Sequence, residues 1–112
     1  MLKTKTLVKI CGITSIEQAI QVAELGADAL GIISVKESPR YVASEKKQKI
    51  FETLEDLYPK IERISVVKNI PIDLIIKNFL GASNETTIQL HGDEDIDYCQ
   101  KLKQKIPNVR LW

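Results

Sequence analysis

The chain has 112 residues, 44% hydrophobic and 28% charged, and 16 Lys+Arg against 15 Asp+Glu leave a formal charge of +1. These are ordinary values for one soluble globular domain. The even charge balance excludes the clustered basic excess on which nucleic-acid binding depends. No apolar run is long enough to cross a bilayer or to act as a secretory signal, so neither nucleic acid nor membrane is an expected partner.

Leu7 to Ile10 is a short apolar run interrupted by Lys9 and closed by Cys11-Gly12, the pattern of a strand. Thr14 and Ser15 offer capping hydroxyls, and Thr14 with Glu17, or Ser15 with Gln18, fits a capping box. Ile16, Ala19, Ile20 and Ala23 follow at helical spacing up to Gly26, a C-terminal stop. Ala29 to Ile33 is a second strand, and the polar stretch from Val35 to Ala43, with Ser38-Pro39, is a loop. Ser44 is placed to cap a charged helix that buries Ile50, Leu54 and Leu57 and ends before Pro59. Arg63 to Val67 is a third strand. Pro71 suits the first turn of a helix carrying Ile72, Ile75, Ile76, Phe79 and Leu80, with Gly81 near its end. Thr86 to Leu90 is a fourth strand closing at His91-Gly92. Asp93 or Asp95 opens a helix with Ile96, Cys99, Leu102 and Ile106 on one face, and Pro107-Asn108 turns the chain into Val109 to Trp112, the start of a fifth strand.

The order is β-α-β-α-β-α-β-α-β, an α/β pattern that implies parallel strands joined by right-handed crossovers. No linker divides it, so residues 1–112 read as one domain. Barrel closure takes about eight strands, and four βα units with part of a fifth strand cannot close. The chain is therefore either a small doubly wound sheet or the first half of a (β/α)8 barrel, and composition leaves both open. Patterning favours the barrel. Side chains alternate faces along a strand, so Lys9 and Cys11 share one face while Val8 and Ile10 share the other. Thr87, Gln89 and His91 likewise oppose Ile88 and Leu90. A sheet covered on both sides would be apolar on both faces.

Cys11 and His91 fall at the C-terminal ends of their strands, where barrel active sites lie. A thiol acts as base or nucleophile only as thiolate. Lys9 on the same face and the helix start at Thr14/Ser15 are expected to favour that form. The alternative is a small cysteine packed as a hydrophobe, which is the reading for Cys99 on its helical apolar face. His91, the single histidine, either orients a substrate or caps a turn. Gln89 lines the inner face beneath it. Arg40 in Ser38-Pro39-Arg40-Tyr41 carries a planar guanidinium suited to a carboxylate or phosphate, or is simply an exposed loop arginine. The lysines at 46, 47 and 49 and those from 101 to 105 read as solvated helix faces. No phosphate-cradling glycine loop, metal-ligand cluster or Ser-His-Asp pattern is present. The two cysteines lack metal spacing, so reduced thiols and a cytoplasmic location are expected.

Three stretches together resemble the phosphoribosylanthranilate isomerase family of tryptophan biosynthesis. They are Val8-Lys9-Ile10-Cys11-Gly12-Ile13-Thr14, then Gly26-Ala27-Asp28-Ala29-Leu30-Gly31 leading into Ser38-Pro39-Arg40-Tyr41-Val42, then Gln89-Leu90-His91-Gly92. The resemblance covers essentially the whole chain and implies the N-terminal half of a (β/α)8 TIM barrel. It implies an Amadori rearrangement of N-(5-phosphoribosyl)anthranilate to 1-(2-carboxyphenylamino)-1-deoxyribulose 5-phosphate, with no metal or organic cofactor. Cys11 would be the general base, Arg40 would hold the anthranilate end, and Gln89 and His91 would line the substrate pocket. The family's general acid is an aspartate of the second half, and its phosphate is bound by the last two βα loops. The expectation is thus a fragment of a full isomerase, inactive or nearly so alone. The alternative is a non-catalytic half-barrel that assembles with itself or with a separate second half. The chain departs from the family at Ile32 and Ser34, where aromatic residues are usual, and at Ser65-Val66-Val67, often Gly-Val-Phe.

Overall fold

A computed structural model describes residues 6–79 and 85–112. Strands β1 (Lys9–Cys11), β2 (Ala29–Ile33), β3 (Glu62–Val67), β4 (Thr87–Leu90) and β5 (Arg110–Leu111) alternate with helices α1 (Ile16–Glu24), α2 (Ser44–Leu57), α3 (Ile72–Phe79) and α4 (Ile96–Lys105). The strands form one parallel sheet in chain order, β1-β2-β3-β4-β5. Each element expected from the sequence is present, with boundaries shifted by a residue or two. The expected helix residues Leu80 and Gly81 lie outside the described residues.

Local chemistry accounts for the helix ends. Ser15 caps α1 by accepting the Gln18 N–H, while Gln18 Oε1 reaches back to the N–H and hydroxyl of Thr14 at 2.9 and 3.0 Å. The reciprocal bond thus lands one residue earlier than in a standard capping box. At the other end Gly26 takes a φ of +96°, its N–H donating to Ala23 and that of Ala27 to Val22. That double bond closes the helix in a left-handed turn that glycine adopts without strain. Asp95, rather than Asp93, caps α4 by accepting from the Tyr98 N–H at 2.8 Å. Ser44 does not cap α2; it is the first helical residue, and Ala43 precedes it without a side-chain cap.

The helices cover one face of the sheet. Leu30 and Ile32 pack with Ala19, Ala23, Ile50, Phe51 and Leu54 of α1 and α2. Val67 and Ile88 pack with Ile75, Leu102 and Ile106 on the α3 and α4 side. The opposite face carries a smaller cluster made of strand residues alone, Ala29, Ile33, Ile64 and Val66. Two apolar residues expected in the core are outside it. Leu57, the last residue of α2, is 57% exposed, and Ile96, the first of α4, is 77% exposed.

Lys47 corrects the expectation of a solvated charge run. It is fully buried, and its ammonium lies 3.1 Å from Glu85, whose carboxylate also accepts from the Ser65 hydroxyl at 2.9 Å. Desolvation pushes the Lys47 pKa below its ordinary value, although Glu85 pulls it the other way. Lys47 lies three, four and seven residues before Ile50, Phe51 and Leu54, which is the buried stripe of the helix.

Candidate active site

The C-terminal strand ends open onto a cavity of about 410 Å³ whose wall includes Cys11, Ile33, Val66, Gln89 and His91. Cys11 comes from the end of β1, Gln89 from β4 and His91 from the residue just after it. Three of the four site residues expected from the sequence are therefore brought together. Glycine makes the room: a β-carbon on Gly31 would lie 3.1 Å from Cys11 Sγ and 3.3 Å from Lys9 Cε. The thiol thus sits directly over the β2 backbone, where any larger residue would crowd it.

Arg40 takes a different place. It does not line this cavity but lies against Gly12, where a β-carbon would approach its Cδ to 2.8 Å and its Nη1 to 3.0 Å. Gly12 holds a φ of +88°, and its N–H and that of Ile13 both donate to the Gly31 carbonyl. A glycine is needed there twice, for the backbone angle and for the close approach of the arginine. The turn after Cys11 thus packs its backbone at Gly12 directly against the Arg40 side chain.

Lys9 is committed elsewhere than at Cys11. Its ammonium crosses the concave face to donate to Gln89 Oε1 and lies 6.0 Å from the centroid of the Trp112 ring. Gln89 is thus both cavity wall and hydrogen-bond acceptor, and the inner face is braced from β1 to β4 and β5. Below it a second polar set fills the N-terminal end, where Glu62 accepts from Thr86, Thr87 and Arg110.

The loops after β3 and β4 are tied to each other. Glu94 accepts from the Asn69 N–H with one oxygen and from the Gly92 N–H with the other, both at 2.8 Å. Asn69 Oδ1 in turn accepts from the Asp93 N–H at 2.8 Å. Asn69 has a φ of +50°, a left-handed angle that asparagine tolerates better than most residues. A β-carbon on Gly92 would fall 2.5 Å from Asn69 Oδ1 and 2.9 Å from Lys68 Cγ. Tyr98 adds a third tie, its hydroxyl donating to the Ile70 carbonyl at 2.6 Å. Burial, with the charges of Glu94 and Cys99 nearby, pushes its phenol up to about 12.

Sequence reasoning missed Lys68 and Glu37, which also line the cavity. Lys68 follows the last residue of β3, the same strand-end position that singled out Cys11 and His91, so the signal was available. Both residues also line a neighbouring cavity of about 320 Å³ that reaches Ser34, Tyr41 and Pro71 between the starts of α2 and α3. Among the described residues no group of three His, Cys, Asp or Glu side chains is placed to hold a metal ion, and no helix is long and apolar enough to cross a membrane.

Parallel strands in chain order, helices on one face, and polar groups gathered at the C-terminal strand ends define a segment of a (β/α)8 barrel. Solved structures agree. The chain superposes with a TM-score of 0.85 at 32% identity on phosphoribosyl anthranilate isomerase in complex with reduced 1-(o-carboxyphenylamino)-1-deoxyribulose 5-phosphate, covering 96% of this chain and 52% of that one. It superposes with a TM-score of 0.84 at 32% identity on the Thermotoga maritima isomerase, covering 96% and 49%. Residues 8–112 match the family model of N-(5'phosphoribosyl)anthranilate (PRA) isomerase, and the chain belongs to that family. The N-(5'-phosphoribosyl)anthranilate isomerase of Acaryochloris marina is 45% identical over 93% of this chain and 49% of its own length. That of Aquifex aeolicus is 40% identical over 94% and 55%. The chain spans about half the length of the curated relatives it matches.

Proposed function

We propose that this chain supplies the base and the anthranilate-binding side of a phosphoribosylanthranilate isomerase. The substrate is N-(5-phosphoribosyl)anthranilate and the product 1-(2-carboxyphenylamino)-1-deoxyribulose 5-phosphate, within cytoplasmic tryptophan biosynthesis. An acid protonates the ribose ring oxygen, the C1–O bond breaks, and the nitrogen lone pair forms a C1=N Schiff base. Cys11, as thiolate, takes the proton from C2, and the C–H electrons form C1=C2 while the C=N pair returns to nitrogen. The enolamine then tautomerises, its enol proton leaving oxygen as C1 gains one, to give the C2 ketone. Arg40 pairs with the anthranilate carboxylate, and Gln89 and His91 shape the pocket. The acid and the phosphate grip come from barrel units other than these four.

The observation that carries this reading is the convergence of Cys11, Gln89 and His91 on one cavity in a chain of this family. The test is an assay of the 112-residue polypeptide alone and mixed with the C-terminal half of a full-length relative. The expected result is negligible turnover alone and measurable turnover in the mixture, reduced at least 100-fold by Cys11→Ser. Undiminished turnover by the Cys11→Ser mixture would overturn the assignment of the base.

A second reading, assembly of this segment with itself through its sheet edges, is favoured by apolar exposure. On β1 and the residues before it, Leu7, Val8 and Ile10 are 74%, 45% and 38% exposed, and Trp112 beside β5 is 51% exposed. β1 and β5 each pair on one side only among the described residues, and open edges of this kind recruit further strands.

A further inference from the structure

Resting on that reading, we propose that Lys68 is an additional cationic contact for an anionic group of the substrate, presented by the tie between the β3α3 and β4α4 loops. Lys68 is the one lysine in the wall of the cavity that holds Cys11, Gln89 and His91, whereas Arg40 sits outside that wall. Among the described residues its ammonium has no hydrogen bond or ion pair, and Glu37, on the same wall, does not pair with it. Its stem is laid over Gly92, whose missing side chain is what admits it.

The surrounding hydrogen bonds fix the backbone on either side of that contact. Asn69, the next residue, is held by Glu94 through its N–H and holds Asp93 through its side chain, while the same Glu94 holds Gly92. Glu94 is therefore a positioning residue for both Lys68 and His91, each one residue from a bond that it makes. The ligand carries two anions, a carboxylate and a phosphate, and a free ammonium in a partly enclosed mouth suits either.

The experiment measures Kd for the 112-residue chain with three ligands at fixed ionic strength. They are reduced 1-(o-carboxyphenylamino)-1-deoxyribulose 5-phosphate, its dephosphorylated form, and the analogue lacking the carboxylate. Binding is followed by the ring resonances of His91, which as the single histidine gives an unambiguous signal. Lys68→Met is expected to weaken the complete ligand about 10-fold, the scale of one charged hydrogen bond, with Lys68→Arg recovering most of it. The penalty disappears with whichever analogue lacks the anion that Lys68 touches, which tells carboxylate from phosphate. Glu94→Ala, with Lys68 intact, is expected to lose a similar factor, and the double variant to lose no more than the larger single loss. Equal affinity of Lys68→Met and the unaltered chain for all three ligands would refute the Lys68 contact alone. Full additivity of the two substitutions would refute the positioning role of Glu94. If the unaltered chain alone binds none of the three, the same comparison is made with its histidine-labelled form mixed with the C-terminal half of a full-length relative. Failure to bind there as well would sink the proposed function, and the Lys68 contact with it.

Discussion

Gly31 shows how much of the site depends on a single missing atom. A methyl group there would press on Cys11 Sγ at 3.1 Å, and one of the two has to move. Gly31→Ala is expected to cost about 1–3 kcal/mol by overpacking and to slow alkylation of Cys11 by iodoacetamide at least twofold. Unchanged alkylation would mean that the thiol does not rest on this strand. Tyr98 gives a second readout at the same scale. Its phenol is raised to about 12 in the folded chain from an ordinary 10, so the folded state holds the proton more tightly than the unfolded one. Its contribution to stability is present below pH 10 and is lost as the pH climbs from about 10 to about 12. Tyr98→Phe should flatten that decline in alkaline denaturation curves, at a neutral-pH cost of about 1 kcal/mol for the unpartnered Ile70 carbonyl.

Among the elements, α1 and α2 mark what local sequence reveals and what it hides. The limits of α1 were legible because their causes are local: a serine cap at Ser15 and a left-handed glycine at Gly26. Ser15→Ala is expected to lower stability by about 1 kcal/mol in urea denaturation. In α2 the residue type misled. Lys47 sits among other charges, yet the stripe of Ile50, Phe51 and Leu54 places it inward, and its partner Glu85 is 38 residues away. No local signal reports such a distant partner. Lys47→Met leaves the Glu85 carboxylate buried and unpaired, an expected loss of about 3–5 kcal/mol. Adding Glu85→Gln should restore much of it, and a double variant no more stable than Lys47→Met would show that the pairing is not what the single change removes. The lowered pKa of Lys47 acts opposite to Tyr98. Folding favours its neutral form, so its contribution rises with pH up to the ordinary lysine value near 10.5.

For the molecule as a whole, alternation of strand and helix was enough to give the parallel sheet, and the polar-in, apolar-out split of β1 and β4 was enough to prefer a barrel over a doubly wound sheet. The site was legible to the same extent. Cys11, Gln89 and His91 lie on strand ends whose direction the pattern fixes, whereas Arg40 lies on a loop whose path depends on Gly12 and could not be read. Lys68 is not singled out by any motif, although its position, one residue past the end of β3, matches that of His91 past the end of β4. The exposed apolar residues on β1 and beside β5 lead to a prediction at this scale. Sedimentation at increasing concentration should show the mean mass rising above 12.7 kDa in the micromolar range, and adding the C-terminal half of a relative should replace that rise with the constant mass of a one-to-one complex. A constant monomer mass would rule out the self-assembly reading.

The strand order has a further consequence, for the route by which the chain folds. Each strand bonds to its sequence neighbour: Lys9 to Ala29, Ala29 to Glu62, Ile64 to Thr87 and Thr87 to Arg110. Among the described residues no pairing skips a unit, so each loop that must close is short and costs correspondingly little entropy. The sheet can therefore grow one βα unit at a time as the polypeptide leaves the ribosome, each new strand finding its template already formed. On this route Cys11 is in place from the outset, and the cavity wall is complete when β4 docks and brings Gln89 and His91 to it.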